Sequence, residues 1–345
     1  MRKLSFLSTT TSTNQSLCSK KTFFFLPLSV PKNIFFPKWT RNVVTAALQT
    51  PTTSSTIPQR RSKKIVIIMG ATGCGKSKLS IDLITRFFPS SEIINSDKIQ
   101  VYSGLNITTN KISMPERKGV PHYFLGEFTP TESHPEFSPS NFRSAASSRI
   151  NKIINRGKIP FVVGGSNSFI YALLTKRFNS GLDIFDPVNP VLPVTKELRY
   201  NCCFIWVDVM PPVLNRYLDK RVDEMLNSEM LEELEEYFAK EGFSDCSGIR
   251  KAIGVPEFER YFKGERSCKE AVREIKENTR VLAERQVWKI MRLREAGWDL
   301  QRVDATEAFT AVISEYGGEN NTATLIWEKQ VLIPSAKIVK QFLLE

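Results

Sequence analysis

Acidic residues are missing from the start of this chain: no aspartate or glutamate precedes Asp82. Residues 1–64 carry eleven lysines and arginines, so nearly all of the formal net charge of +12 lies there and the remaining body is close to neutral. That location removes the support a basic total would give to a broad nucleic-acid-binding face, and no nucleic-acid partner is expected. Histidine is scarce, with only His122 and His134. The six cysteines, Cys18, Cys74, Cys202, Cys203, Cys246 and Cys268, include no C-x-x-C spacing. A zinc site built from four cysteines, or from paired cysteines and histidines, therefore has no support. Nothing suggests a disulfide framework either, as suits a reducing interior. No apolar run reaches the roughly 18 residues of a membrane helix, so no membrane partner is expected.

The acid-free segment is rich in serine and threonine, as in Ser8–Thr13 and Thr52–Thr56, with Arg41, Arg60 and Arg61 scattered through it. This is the composition of an organellar transit peptide. Residues 1–60 are expected to be a disordered address outside the fold, plastid first and mitochondrion second.

The body is organised around Ile65–Asp97. A short apolar run, Ile65-Val66-Ile67-Ile68-Met69, reads as a buried parallel strand. Gly70-Ala71-Thr72-Gly73-Cys74-Gly75-Lys76-Ser77 then fits G-x-x-x-x-G-K-S/T at every fixed position, and a helical pattern runs from Ser77 to Phe88. Glycines let the backbone wrap an anion closely, and loop amides and the helix N-terminus point at phosphate. Lys76 adds a point charge, and the Ser77 hydroxyl can ligate Mg²⁺, the one cofactor expected. Glu92–Asp97 reads as a second strand that sets Asp97 at the carboxyl edge of the sheet, beside the loop.

Further along, residues 98–111 carry polar groups suited to reading a small ligand, Thr109 among them, and Val120–Gly126 is a strand candidate. Ser138-Pro139 opens a helix to about Asn155. Ile159–Val163 reads as a strand that delivers a second glycine turn, Gly164-Gly165-Ser166, into a helix from Phe169 to Lys176. Cys202–Asp208 is a buried strand ending in an acid, similar on its surface to a Walker B strand. From Pro211 the pattern is helical, with one long amphipathic helix from Leu214 to Phe238 and another from Lys269 to Ala296. Asp299–Asp304 reads as a short strand and turn, and Ile326–Leu344 as a last helix interrupted by Pro334. The fold class is α/β: a P-loop NTPase-like parallel sheet flanked by helices, with a smaller helical insertion or lid. The expected divisions are 61–210 for the core, 211–296 for the helical segment and 297–345 for a strand and helix returning to the core.

Together these residues resemble the isopentenyltransferases, the group that includes plant adenylate isopentenyltransferases and tRNA dimethylallyltransferases. The resemblance rests on the glycine loop, on Asn95–Tyr102, Val120-Pro121-His122, Gly164–Phe169, Phe204–Val209, Lys220–Met225, Gly248–Gly254 and Leu282-Ala283-x-Arg285-Gln286, and it covers about residues 63–345. It implies transfer of a dimethylallyl group from dimethylallyl diphosphate to N6 of the adenine of ATP or ADP, less often AMP, the first step of cytokinin synthesis. The adenine amine is a poor nucleophile whose lone pair is delocalised, so it needs a base, and Asp97 is placed to serve. The family pattern implies that Ser166 reaches the bridging oxygen of the leaving group. The catalytic candidates are thus Asp97, Ser166 and Lys76. The phosphate- and nucleotide-binding candidates are Gly70, Ala71, Thr72, Gly73, Cys74, Gly75, Lys76, Ser77, Thr109, Gly164, Gly165, Asp208, Lys220, Arg250 and Lys251.

The chain departs from the tRNA-type pattern. Gly254-Val255-Pro256-Glu257 stands where those members read Gly-Tyr-Arg-Gln, so Lys251 or Arg250 would have to replace the missing arginine, and no C-terminal Cys/His zinc module follows. A free nucleotide acceptor is therefore expected; separately, the chain is expected to be a monomer. The alternatives are a tRNA dimethylallyltransferase and, from another class, a P-loop kinase of a small metabolite. A kinase would bring an arginine-rich lid and would leave the Gly164-Gly165-Ser166 turn without a task.

Overall fold

A computed structural model of the chain describes residues 63–131, 134, 136–186, 193–241, 248–314 and 321–345. The chain divides into two units, Met1–Gln59 and Arg60–Glu345. The expected transit segment lies outside the described residues.

Six parallel strands form one sheet in the order β3-β2-β4-β1-β5-β6. They are β1 (Lys64–Met69), β2 (Ser91–Asn95), β3 (His122–Tyr123), β4 (Ile159–Gly164), β5 (Asn201–Asp208) and β6 (Leu300–Asp304). Helices α1 (Lys76–Arg86), α2 (Pro139–Asn155) and α3 (Asn167–Leu174) connect the early strands, as parallel crossovers require. Both faces of the sheet are covered, which is why the central strands read as unbroken apolar runs. Val66, Ile68, Phe161, Val163 and Ile205 pack on one side with Leu79 and Leu83 of α1. Ile65, Ile67, Met69, Val162 and Phe204 pack on the other with Phe142 and Ile150 of α2 and Phe169 of α3. α2 begins where Ser138 and Pro139 predict it, with the Ser138 hydroxyl accepting from the Asn141 amide.

Two expected strands are shorter than predicted. β2 ends at Asn95 because the Asp97 carboxylate captures the next amides in a turn, with Ile99 N at 2.9 Å and Gln100 N at 3.2 Å. β3 keeps only two residues, since Phe124 (φ 61°) and Gly126 (φ 76°) leave extended backbone.

The single long helix expected from Leu214 to Phe238 is two helices, α4 (Pro211–Asn227) and α5 (Met230–Glu241). Glu229 stands between them with φ 70°, a left-handed residue that no helix continues through. Two helices were not anticipated, α6 (Val255–Phe262) and α8 (Thr306–Ser314). The Gly-Val-Pro-Glu run opens α6: the buried Glu257 accepts from the Gly254 amide at 2.8 Å and from Asn278 Nδ2 at 2.6 Å. At the C-terminus Pro334 does not interrupt the helix. α9 (Asn321–Trp327) passes through a π turn, Glu328–Leu332, straight into α10 (Ile333–Leu344). The wider turn absorbs the hydrogen bond that proline cannot donate.

A separate apolar cluster holds the helical lobe together. Val222 of α4, Met230, Leu234 and Phe238 of α5, Phe258 of α6, and Ala271 and Ile275 pack there with Val101 and Tyr102. The last two helical members belong to α7 (Cys268–Glu295), the 28-residue rod of the fold. Further along the same helix Ala283 joins one sheet-face cluster, and Ile290 and Leu293 join the other. Among the described residues no helix is long and apolar enough to cross a membrane.

Candidate active site

The register of the central strands builds the site. Met69 pairs with Gly164 of β4 on one side and with Trp206 of β5 on the other, so the chain leaves three neighbouring strands at one edge. Space there is tight. A Cβ on Gly70 would lie 2.4 Å from Val207 O, and one on Gly164 would lie 2.1 Å from Ser96 O. Both contacts are with backbone, and a side chain at 164 would push aside the turn that carries Asp97.

The glycine loop runs from β1 into α1, with Gly75 at φ 89° where the chain turns into the helix. Lys76 Nζ donates to Ala71 O at 2.5 Å, lying across its own loop, where a phosphate oxygen can take over as acceptor. Cys74 lies inside the loop, 1 % exposed, and burial pushes its thiol up, which makes it a packing residue and not a nucleophile. Ser77 is exposed on the first turn of α1. Among the described residues no cluster of three His, Cys, Asp or Glu could hold a metal. Magnesium binding would therefore combine the Ser77 hydroxyl with phosphate oxygens and water, a donor set the ion commonly accepts.

Asp97 follows β2 beside this loop. Its Oδ1 holds the turn amides already described, which leaves Oδ2 outside that pair of bonds. Ser166 caps α3 from the second glycine turn, and its Oγ accepts from the Lys98 amide at 2.9 Å. A hydroxyl that accepts there keeps its own proton to donate. Gln286 of α7 ties the two glycine turns together. Its Oε1 accepts from the Thr72 amide at 2.6 Å, its backbone carbonyl accepts from Asn167 Nδ2 at 3.1 Å, and its Nε2 would lie 2.5 Å from a Cβ on Gly165. The sequence presents Gln286 only as part of the family pattern; its tie to the loop depends on packing across more than two hundred residues of chain.

The remaining expected ligands have other partners. Asp208 ends β5 near the loop, but its Oδ2 accepts from Arg302 Nε at 2.7 Å, and burial pushes its carboxyl up against that pairing. Lys220 lies 3.8 Å from Glu224 one turn along α4. Arg250 pairs with Glu259 at 2.6 Å, and Lys251 pairs with Glu136. These three cations thus spend charge on neighbouring carboxylates. Thr109 Oγ1 donates to Leu105 O at 2.6 Å and accepts from Lys111 Nζ at 3.0 Å.

Arg221, next to Lys220 on α4, is the cation that reaches the loop. Its Nη2 donates to Thr72 Oγ1 at 3.1 Å, and its Nη1 would lie 3.6 Å from a Cβ on Gly73. Burial pushes the guanidinium down, opposed by Tyr217, Cys74, Glu224 and Asp97. Among the described residues its Nε is buried without a partner. A second group of cations was not singled out from sequence: Lys289 of α7 is pushed down by burial and by the charges of Lys98 and Arg285, with Asp183 opposing. Lys98 and Arg285 stand within the family pattern of the sequence, whereas Lys289 had only its four-residue spacing from Arg285 as a signal. Beside Arg221 opens a cleft of about 630 Å³, within the range of small-ligand sites, whose walls mix Lys111, Arg221 and Glu224 with Ile107, Ile112, Met114, Leu125 and Met225.

A family model described as IPP transferase matches this chain over residues 100–189 and 182–290. The chain belongs to the IPP transferase family. It is similar to the adenylate isopentenyltransferase of Humulus lupulus, 52 % identical over 80 % of this chain and 89 % of the relative. Adenylate isopentenyltransferase 1, chloroplastic, of Arabidopsis thaliana is 49 % identical over 83 % of each chain. Among solved structures, a eukaryotic dimethylallyltransferase acting on tRNA superposes with a TM-score of 0.65 at 27 % identity, covering 82 % of this chain and 80 % of the other. This isopentenyltransferase is accordingly a prenyltransferase enzyme on a parallel α/β sheet, and the resemblance stated from its sequence holds.

Proposed function

We propose that this isopentenyltransferase moves the dimethylallyl group of dimethylallyl diphosphate to N6 of the adenine of a free nucleotide, ATP or ADP in preference to AMP. The observation that carries this reading is a carboxylate, Asp97, standing beside a phosphate-binding loop with one oxygen uncommitted. N6 attacks the allylic carbon C1, the C1–O bond breaks, diphosphate leaves and the N6 proton passes to Asp97. The allylic carbon tolerates positive charge, so the transition state is loose and catalysis rests on positioning and on meeting the charge of the departing diphosphate. Lys76, the loop amides and the Ser166 hydroxyl meet that charge. Magnesium, held by Ser77 and phosphate oxygens, supplies further charge neutralisation when bound.

Phosphates of the acceptor beyond the first need cations outside the loop. Arg221, Lys98 and Lys289 fit that need better than Lys220 and Lys251, whose ammonium groups already face carboxylates. The relatives named for adenylate support a free nucleotide, and the structural neighbour that acts on tRNA defines the competing acceptor. Radiolabelled dimethylallyl diphosphate offered with ATP, ADP, AMP and unmodified tRNA in parallel is expected to label ATP and ADP most strongly. Label entering tRNA alone would overturn the acceptor and leave the reaction intact.

The acid-free leader and a relative named chloroplastic support a plastid address for residues 1–60. A fluorescent protein fused behind those residues is expected in plastids, and a chain beginning near Arg60 is expected to keep full activity. Uniform cytosolic fluorescence would sink the address.

A further inference from the structure

We propose that Lys111 is a phosphate-binding residue of the cleft, giving one N–H of its ammonium to a phosphate oxygen of a bound substrate. The inference rests on the transfer reaction proposed above, and takes the cleft beside Arg221 as the part of the site that receives substrate phosphate. Lys111 and Arg221 line the same cleft, with Glu224 among its walls, and Arg221 in turn touches the glycine loop at Thr72. The Lys111 side chain is fixed in place. Its Nζ donates to Gly104 O and, at 3.0 Å, to Thr109 Oγ1, and its stem lies 3.8 Å from where a Cβ on Gly126 would stand. An ammonium has three N–H donors, and neutral acceptors hold two of them.

The charged groups around Lys111 come from several elements. Glu233 approaches from α5 and Asp97 from the turn after β2, while Arg221 and Glu224 of α4 and Arg117 line the same cleft. Glu233 is itself held over this segment, accepting from Ile107 N at 3.0 Å, Thr108 N at 2.8 Å and Thr108 Oγ1 at 2.7 Å. Burial pushes the Lys111 ammonium down to about 8, with Glu233 and Asp97 opposing. A half-buried ammonium without a direct carboxylate contact is costly, and an arriving phosphate repays that cost by restoring the charged form. Binding therefore takes up a proton near pH 8.

The phosphate belongs either to the prenyl donor or to the nucleotide, and the two are separable. Calorimetry of the full chain with dimethylallyl diphosphate alone and with AMP alone, in buffers of different ionisation enthalpy, reads affinity and proton uptake together. For one of these ligands the wild type is expected to take up about half a proton at pH 8 and to lose affinity as pH rises further. Lys111→Arg keeps the charge without titrating, so its affinity is expected to stay flat through pH 9 and its extra proton uptake to vanish. Lys111→Met is expected to weaken the same ligand on the order of 10- to 150-fold at pH 7. Glu233→Gln removes a carboxylate that favours the charged lysine, so the alkaline loss is expected to begin at lower pH. A Lys111→Arg protein with the wild-type alkaline loss, or a folded Lys111→Met protein that binds both ligands normally, would overturn the proposal. Failure of the wild type to bind either ligand would instead refute the substrate site itself.

Discussion

Asp97→Asn is expected to lower kcat by about 10²–10⁴ with little change in substrate affinity, the usual scale for losing a positioned general base. The substitution is a clean one on structural grounds. Asparagine keeps an oxygen that can accept from Ile99 N and Gln100 N, so the turn after β2 survives. It lacks a second carboxylate oxygen able to take the N6 proton. Single-turnover rates with saturating donor and ATP test this directly. A kcat close to wild type would remove Asp97 from the role of base, and a large rise in KM with unchanged kcat would recast it as a binding residue.

Lys76→Ala is expected to cost about 3–4 kcal/mol of transition-state stabilisation, or roughly 10²–10³ in kcat/KM, comparable to losing one strong donor at a developing anion. The lysine's ground-state contacts are a bond to the loop carbonyl of Ala71 and a long one to Cys74 Sγ at 3.9 Å, both within its own loop, so its removal should leave the melting temperature almost unchanged. Kinetic loss without loss of stability is the signature of a residue kept for chemistry. A magnesium titration of the wild type examines the same assignment from the other side, since activity independent of divalent metal would refute the role given to Ser77.

The parts of this molecule that could be read in the sequence are those set by local pattern. Ile65–Met69, the glycine loop and the start of α1 are adjacent in the chain, so their period and spacing suffice. The Ser138-Pro139 start of α2 is legible for the same reason. Residues whose function depends on distant partners were not. Arg221 and Lys220 are neighbours on one helix, and only the rotation of α4 against the loop decides that Arg221 reaches Thr72 while Lys220 meets Glu224. Asp208 ends a strand as a Walker B acid would, yet Arg302, brought alongside by the pairing of β5 with β6, takes up its charge. The break at Glu229 was hidden because apolar residues keep helical spacing on both sides of it.

The path of α7 has a mechanical consequence. The helix is pinned in the lobe at Ile275, ties the two glycine turns at Gln286 and is buried against the sheet at Leu293, near its end. At about 1.5 Å of rise per residue, those points lie about 27 Å and about 10 Å from the buried end. The rod is a reducing lever. If the lobe tilts about the Leu293 end so that Ile275 travels about 1 Å, Gln286 moves by only about 0.4 Å. Through α7, any tilt of the lobe therefore reaches the two glycine turns reduced by more than half.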